Sequence, residues 1–310
     1  MRRTEQKIGG LYGLLVGDAL GVPYEFSRPG SVPWGLVEMT PPRGYDRAHQ
    51  GTPVGTWSDD GAQALCLLAS LLDRGKLDIE DFAGRLIGWR ERGYMAVDGR
   101  VFDIGIQTSG ALSSMMYGTN PHLSGPNGER DNGNGSLMRV LPLALWHEGT
   151  DMDLVTDAHL QSLPTHGHFR SQVCCAVYCM WARELMEGTT DVDDAMDNAI
   201  ARVRAVYEGE QAGSVFLEEL ALVEDAVWNA DATGSGYVLD CLVSAFAIQG
   251  DSYEDTVRAA IVMGNDTDTT ACVAGGIAGI RFGLDGIPKR WFDSLRERET
   301  VERLIDQMSF

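Results

Sequence analysis

Two short stretches set carboxylates among hydroxyls where helices begin: Thr56-Trp57-Ser58-Asp59-Asp60-Gly61 and Gly264-Asn265-Asp266-Thr267-Asp268-Thr269. Taken singly, each reads first as a helix cap, because Ser, Thr and Asp satisfy the free N–H groups of a helix start and its positive end. Taken together they offer four carboxylates and several hydroxyls, with no thiolate or imidazole adjoining. That all-oxygen set suits Mg²⁺, Mn²⁺ or Ca²⁺ rather than Zn²⁺ or Cu²⁺. Should the two helix starts meet, four negative charges converge, and about two divalent cations are needed to neutralise them.

Other residues leave more than one reading open. The run Asn132-Gly133-Asn134-Gly135-Ser136 has flexible glycines and amides able to cradle a diphosphate without cationic side chains, but Gly and Asn also fill ordinary turns before helices. Tyr237 can stack on a base or simply pack. His166 and His168 can line a pocket or pair on a metal, yet no third ligand lies nearby, which favours capping or packing. Asp191-Val192-Asp193-Asp194 faintly echoes a calcium loop, but Met196 sits where the turn glycine belongs and Arg202 where a bidentate glutamate should be. It reads as an acidic helix start.

The elements that must position these groups are helical, since periodicity near 3.6 dominates and alternating strand patterns are scarce. Thr4 can cap a first helix that turns Ile8, Leu11, Leu15 and Leu20 inward, with Gly10, Gly13, Gly17 and Gly21 forming a smooth stripe for close approach of a helix or ligand. Residues 27–56 lack periodicity and form a long loop, a length that in compact domains is usually functional. A helix capped by Ser58 or Thr56 runs from Asp59 to about Arg74, and Gly75 ends it. Further helices are expected near 79–93, 104–117, 137–147, 151–161, 169–187, 191–207, 214–229, 236–248, 253–263 and 268–282. Pro288 opens a terminal amphipathic one. No repeat or composition break divides 1–310, so one domain is expected.

Composition narrows the partners. With 44% hydrophobic and 23% charged residues a packed core is possible. A net charge of −20 repels a phosphate backbone and argues against nucleic acid. The cysteines Cys66, Cys174, Cys175, Cys179, Cys241 and Cys272 form no C-x-x-C pair and read as small buried apolar residues in a reducing cytoplasm. Met1-Arg2-Arg3 before Ile8–Val16 imitates a signal peptide, but Glu5 and Gln6 interrupt it, Asp18 follows, and the run is too short to span a bilayer. A buried helix of a cytoplasmic protein, without a membrane segment, is the expectation.

In order along nearly the whole chain, the motifs resemble those of the ADP-ribosylglycohydrolase family. Gly17-Asp18-Ala19-Leu20-Gly21 with Glu25-Phe26 resembles its opening motif, and Trp57-Ser58-Asp59-Asp60 its first metal motif, with Ser58 where Thr is commoner. Phe102-Asp103-Ile104-Gly105 is similar to the stretch holding a catalytic aspartate. Gly133-Asn134-Gly135-Ser136-Leu137-Met138-Arg139 resembles a loop that contacts phosphate and ribose, and Thr165-His166-Gly167-His168 and Gly236-Tyr237-Val238 are shorter matches. The longest runs from Gly264-Asn265-Asp266-Thr267-Asp268-Thr269 through Gly275, Gly279 and Gly283 to Ile287-Pro288, with Asn265 where Gly or Ala is usual.

The resemblance implies an all-α fold, a compact orthogonal multi-helix domain with a central dinuclear metal cleft. It implies two divalent cations, Mg²⁺ or Mn²⁺, on Ser58, Asp59, Asp60, Asp266, Asp268 and Thr269. It implies proton transfer by Asp103, as in arginine-type relatives, or Glu25, as in serine-type ones. It further implies substrate contacts from Gly105, Asn134, Gly135, Ser136, His166 and Tyr237. The implied reaction releases ADP-ribose from a modified protein or small molecule, arginine-linked first, with serine- or nucleobase-linked ADP-ribose as alternatives. Without the resemblance, Asp103 reads as a cap ahead of Ile104 and Glu25 as a solvated loop residue. Two rival classes are a non-catalytic member that binds ADP-ribose or serves as an interaction or structural protein, which should have lost metal carboxylates, and a two-metal phosphohydrolase acting on a nucleotide.

Overall fold

The computed structural model describes residues 2–209 and 214–308. Among them are fourteen α-helices and no strand. In chain order these are α1 (Arg3–Gly21), α2 (Asp59–Arg74), α3 (Ile79–Arg92), α4 (Ile106–Met116), α5 (Leu141–Trp146), α6 (Asp151–Ser162) and α7 (Phe169–Glu187). They continue as α8 (Val192–Gly209), α9 (Ser214–Asn229), α10 (Val238–Ala247), α11 (Tyr253–Met263), α12 (Thr267–Phe282), α13 (Lys289–Ser294) and α14 (Arg298–Ile305). The all-α expectation holds.

Burial sorts the helices into two kinds. α7 is buried from Ser171 to Met186 and α12 from Thr267 to Ile280, so both are core helices with no wet face. α2, α3, α8 and α14 are amphipathic: α8 packs on α7 and α2 on α12, while α3 and α14 pack on α2. The glycine stripe of α1 meets a second stripe on α12. A Cβ on Gly9 would lie 2.3 Å from the Gly279 carbonyl oxygen, one on Gly13 2.3 Å from that of Gly275, and one on Gly17 2.0 Å from that of Ala271. Only glycine permits backbones this close. The two run antiparallel, so the contact carries the start of α12, with its carboxylates, against the C-terminal end of α1, where a Cβ on Gly21 would lie 2.3 Å from the Asp268 Cα.

Several boundaries shift for identifiable reasons. α1 starts at Arg3 rather than after a Thr4 cap, because the Glu5 carboxylate accepts the Arg2 N–H at 3.1 Å. The expected 137–147 helix is a 3-10 turn at Asn134–Ser136 followed by the short α5. Pro142 lies in the first turn of α5, where it is tolerated but blocks continuation from the preceding chain. The terminal helix breaks into α13 and α14, since Arg296 N–H bonds the Gly55 carbonyl at 3.0 Å and Glu297 turns left-handed at φ 47°. Asp191 accepts the N–H groups of Asp193 and Asp194, an acidic helix start as read. All six cysteines are buried and unpaired. Among the described residues no helix is long and apolar enough to cross a membrane.

Candidate active site

Asp18, on the buried face of α1, organises the start of α2. Its carboxylate accepts the Ser58 N–H at 2.9 Å and the Gly61 N–H at 2.8 Å, while the Ser58 hydroxyl takes the Asp60 N–H at 3.3 Å. The first-turn amides are thereby satisfied without the side chains of Asp59 and Asp60, which turn into a cavity instead. Asp266 occupies the N-cap position of α12 yet makes no capping bond; its Oδ2 accepts the Asn134 amide at 2.8 Å. Capping therefore does not explain these aspartates. The two helix starts meet: Thr269 Oγ1 on α12 donates to Asp60 Oδ1 on α2 at 3.4 Å.

The electrostatics are severe. Asp59, Asp60 and Asp268 are at most 5% exposed and Asp266 is half-buried, and burial, then mutual repulsion, pushes the carboxyls of Asp59, Asp60 and Asp268 well up. Burial raises Asp266 as well, against the Asn134 hydrogen bond that lowers it. Among the described residues, Asp60 Oδ2 and both oxygens of Asp268 are buried with no hydrogen-bond partner. Orphaned buried acceptors are costly unless a cation meets them. Glu25, Asp266 and Asp268 bring one oxygen each within 4.8 Å of one another. An all-oxygen, multiply anionic set of this kind fits hard divalent cations.

A second trio, Glu25, His49 and Asp103, stands beside the first. His49 Nε2 contacts Glu25 Oε2 closely and lies 3.8 Å from Asp103 Oδ1. Burial pushes the Glu25 carboxyl up to about 7, while hydrogen bonding to Glu25 raises His49. The pair thus retains a proton near neutral pH. Glu25 is buried, not solvated, and α4 begins at Ile106 after Gly105, leaving Asp103 free of any cap. Asp103 sits at φ 57°, a left-handed conformation that Asp tolerates better than most residues.

The cavity measures about 620 Å³ and is lined by Glu25, Asp59, Asp60, Asp103, Gly105, Asn134, Gly135, His166, Tyr237, Asp266 and Thr269. Its walls are stapled by two isolated antiparallel bridges, Ser27 with Asn265 and Gly133 with Tyr237. Asn265 adopts φ 59°, which explains how it stands where smaller residues are usual. Gly135 is needed because a Cβ there would lie 2.8 Å from the His166 ring. Burial drives the His166 imidazole down to about 3, so it is neutral, while His168 caps α7 by accepting the Arg170 N–H. The Tyr237 hydroxyl accepts from Arg170 and its ring remains 37% exposed.

Two expectations need correction. Ser136 is fully buried, its hydroxyl engaged by Ser162 at 2.9 Å, and it does not reach the cavity. The diphosphate cradle has fewer free donors than its sequence implies, because the Gly133 amide bonds Gln107 and the Asn134 amide bonds the Gly236 carbonyl. The cavity wall includes one arginine, Arg130, which makes no ion pair or hydrogen bond among the described residues. Asp18, His49, Gln107 and Arg130 were not singled out in advance. A separate cavity of about 640 Å³ beside Lys7, Trp146 and His147 holds none of the candidate residues, so the buried carboxylates rather than size identify the site.

Comparison with known proteins agrees with this geometry. A family model described as ADP-ribosylglycohydrolase matches residues 2–309. The chain is 28% identical to the ADP-ribosylarginine hydrolase Tri1 of Serratia proteamaculans (strain 568), over 97% of its own length and 78% of the relative's. It is 26% identical to the ADP-ribosyl-(dinitrogen reductase) glycohydrolase of Rhodospirillum rubrum, over 98% and 95%. It is 25% identical to the ADP-ribosylhydrolase ARH3 of Danio rerio, over 91% and 84%. The solved structure of an ADP-ribosylglycohydrolase-related protein complex matches with a TM-score of 0.78 at 31% identity, covering 99% of this chain and 98% of that one.

Proposed function

The chain belongs to the ADP-ribosylglycohydrolase family and is an ADP-ribosyl hydrolase, and we propose that the bond it cleaves joins ADP-ribose to an arginine of a modified protein. We propose residues 1–310 as one such domain. The observation that carries the reading is the meeting of two carboxylate clusters, with Asp60 Oδ2 and both Asp268 oxygens buried and unpartnered among the described residues, beside a cavity whose wall bears Asp103 and Glu25.

Ser58, Asp59, Asp60, Asp266, Asp268 and Thr269 would hold two divalent cations, Mg²⁺ or Mn²⁺. Such ions, when bound, orient and polarise the hydroxyls of the ribose next to the scissile bond. The residues do the rest. Hydrolysis adds the hydroxyl of water to the anomeric carbon and breaks the bond to the departing nitrogen, which takes up a proton. Asp103 is the group assigned to move that proton, being at the cavity wall and free of capping. His49 fixes the orientation of Glu25 beside it. Tyr237 presents a ring for the adenine, and Arg130 offers charge toward the diphosphate. Phe26 (72% exposed) and Ile106 (93% exposed) stand beside Glu25 and Asp103, apolar surface that suits a protein target.

One observation favours a second reading. Glu25 shares an oxygen cluster with Asp266 and Asp268, a position suited to serine-linked ADP-ribose chemistry, with small-molecule or nucleobase conjugates as further substrates of the same type. A turnover panel of arginine-, serine- and nucleotide-linked ADP-ribose, in Mg²⁺ and in Mn²⁺, separates them. Release of intact ADP-ribose from the arginine-linked peptide is expected. Brisk turnover of the serine-linked peptide alone overturns the linkage, and AMP in the mass spectrum overturns glycosidic cleavage.

A further inference from the structure

Arg139 is fully buried, and among the described residues no carboxylate lies within ion-pair distance of it. Its guanidinium donates to Gln161 Oε1 at 3.2 Å, to the Gln161 carbonyl at 2.8 Å and to Gln63 Oε1 at 2.9 Å, with its plane over Phe82. Gln63 lies one turn after Asp59 on α2, and its Nε2 donates to Asp59 Oδ2 at 2.9 Å. The amide can face only one way, since Arg139 has donors alone and must meet the Gln63 oxygen, which turns the Gln63 NH₂ to Asp59. A buried cation and a buried carboxylate cluster thus share one low-dielectric region while an amide keeps them apart.

That separation has a chemical use. A guanidinium fork laid directly on Asp59 would occupy both carboxylate oxygens. With Gln63 between them, one oxygen is held and Oδ1 is left without a protein partner among the described residues. The arginine meanwhile offsets part of the repulsion within the cluster. We propose that Gln63 and Arg139 are positioning residues for the cation centre: Arg139 locks the Gln63 amide, and Gln63 holds Asp59 by one oxygen so that the other is presented to a divalent cation. The inference rests on the cation reading above and goes beyond it by naming the residues that set the ligand.

The test is a Mn²⁺ titration of the full chain, by calorimetry and by the paramagnetic resonance signal of free Mn²⁺. Gln63→Met should weaken Mn²⁺ binding about tenfold or more, the usual effect of removing a partner that orients a ligand. Gln161→Met removes a bond to the same arginine but touches no candidate ligand, and the Gln161 carbonyl still holds Arg139. It should lower the melting temperature in chelator while leaving Mn²⁺ affinity within about threefold of the parent, as distant from the ligands. If the Met variant fails to fold, Gln63→Asn keeps an amide too short to span both partners and should show the same loss. Unchanged affinity in a folded Gln63 variant, or an equal loss in Gln161→Met, overturns the proposal. Absence of Mn²⁺ binding by the parent chain instead overturns the cation reading beneath it.

Discussion

Gly17→Ala should separate two helices whose spacing sets the site. The added Cβ would lie 2.0 Å from the Ala271 carbonyl oxygen and 2.7 Å from its carbonyl carbon. Carbon and oxygen in contact rest about 3.3 Å apart, so α1 and α12 must part by about 1 Å or more. Both obstacles are main chain, and no rotamer can make room. Overpacking of this kind costs roughly 1–3 kcal/mol. The functional effect should be larger than the loss of stability. Ala271 lies within a turn of Asp268 and Thr269, and Gly17 adjoins Asp18, which holds the start of α2. The Thr269–Asp60 bond that joins the two helix starts is already 3.4 Å long. A displacement of about 1 Å at reacting groups costs roughly a hundredfold in rate. Calorimetric melting, Mn²⁺ titration and kcat on the arginine-linked substrate measure the three effects. Gly84→Ala in α3 is the control, since a Cβ there meets nothing within 4 Å and should stabilise by roughly 0.5–1 kcal/mol. A Gly17→Ala protein that melts, binds Mn²⁺ and turns over like the parent would refute the claim that the glycine stripe sets the distance between the carboxylate clusters.

Other outcomes follow from the same site. Asp18→Asn turns an acceptor into a donor against the Ser58 or Gly61 N–H and should cost about 1–3 kcal/mol in urea unfolding while weakening Mn²⁺ binding; equal stability would show that Asp18 does not hold α2. Asp60→Ala and Asp268→Ala should each abolish hydrolysis, and full activity in either, or of the parent in chelator, counts against the cations. In chelator, stability should fall as pH rises from about 5 through about 7. Burial holds Glu25 and Asp18 up to about 7, so the folded chain binds more protons than the unfolded one across that window. His147, His159 and His166, held down by burial, act in the opposite sense as pH rises toward their ordinary range, but they are outnumbered, because Asp59, Asp60, Asp157, Asp266 and Asp268 are held up together with Glu25 and Asp18. Saturating Mn²⁺ should flatten the slope, and melting temperatures that rise with pH in chelator would contradict it. Ile106→Ser should raise KM about fivefold for an ADP-ribosylated protein, for the loss of about 1 kcal/mol of apolar contact, and leave a small conjugate unaffected; an equal effect on both would remove the apolar rim from target recognition.

What could be read in the sequence was whatever local rules govern. α2 begins after Ser58 and ends at Gly75 as its cap residues dictate, and the glycines of α1 mark a close approach before its partner is known. The partner itself, α12, was not legible, because a stripe fixes distance and not identity. His49 lay hidden in the 27–56 loop, whose path depends on bonds to distant elements, such as Gly30 to the Val262 carbonyl and Ala48 to that of Pro23. Asp18 and Gln63 did leave signals. A lone acid among the apolar residues of α1, and an amide one turn beyond Asp59, each call for a buried partner. Ser136 misled because its motif neighbours face the cavity while its own side chain turns inward to Ser162.

The seam between α1 and α12 also governs when the chain can fold. The Thr267 hydroxyl of α12 bonds the Gly21 carbonyl across 246 residues, and beside the seam the Tyr253 hydroxyl of α11 bonds that of Gly13 across 240. At roughly 5–20 residues per second of translation, α1 waits on the order of 10–50 s before α12 is made. Through that interval Leu11, Leu14, Leu15 and Leu20 lack their final cover. Ribosome-bound chains halted ahead of α12 should stay protease-sensitive from end to end, and the nascent N-terminal helix is then a natural client for holding chaperones until the last quarter of the polypeptide arrives.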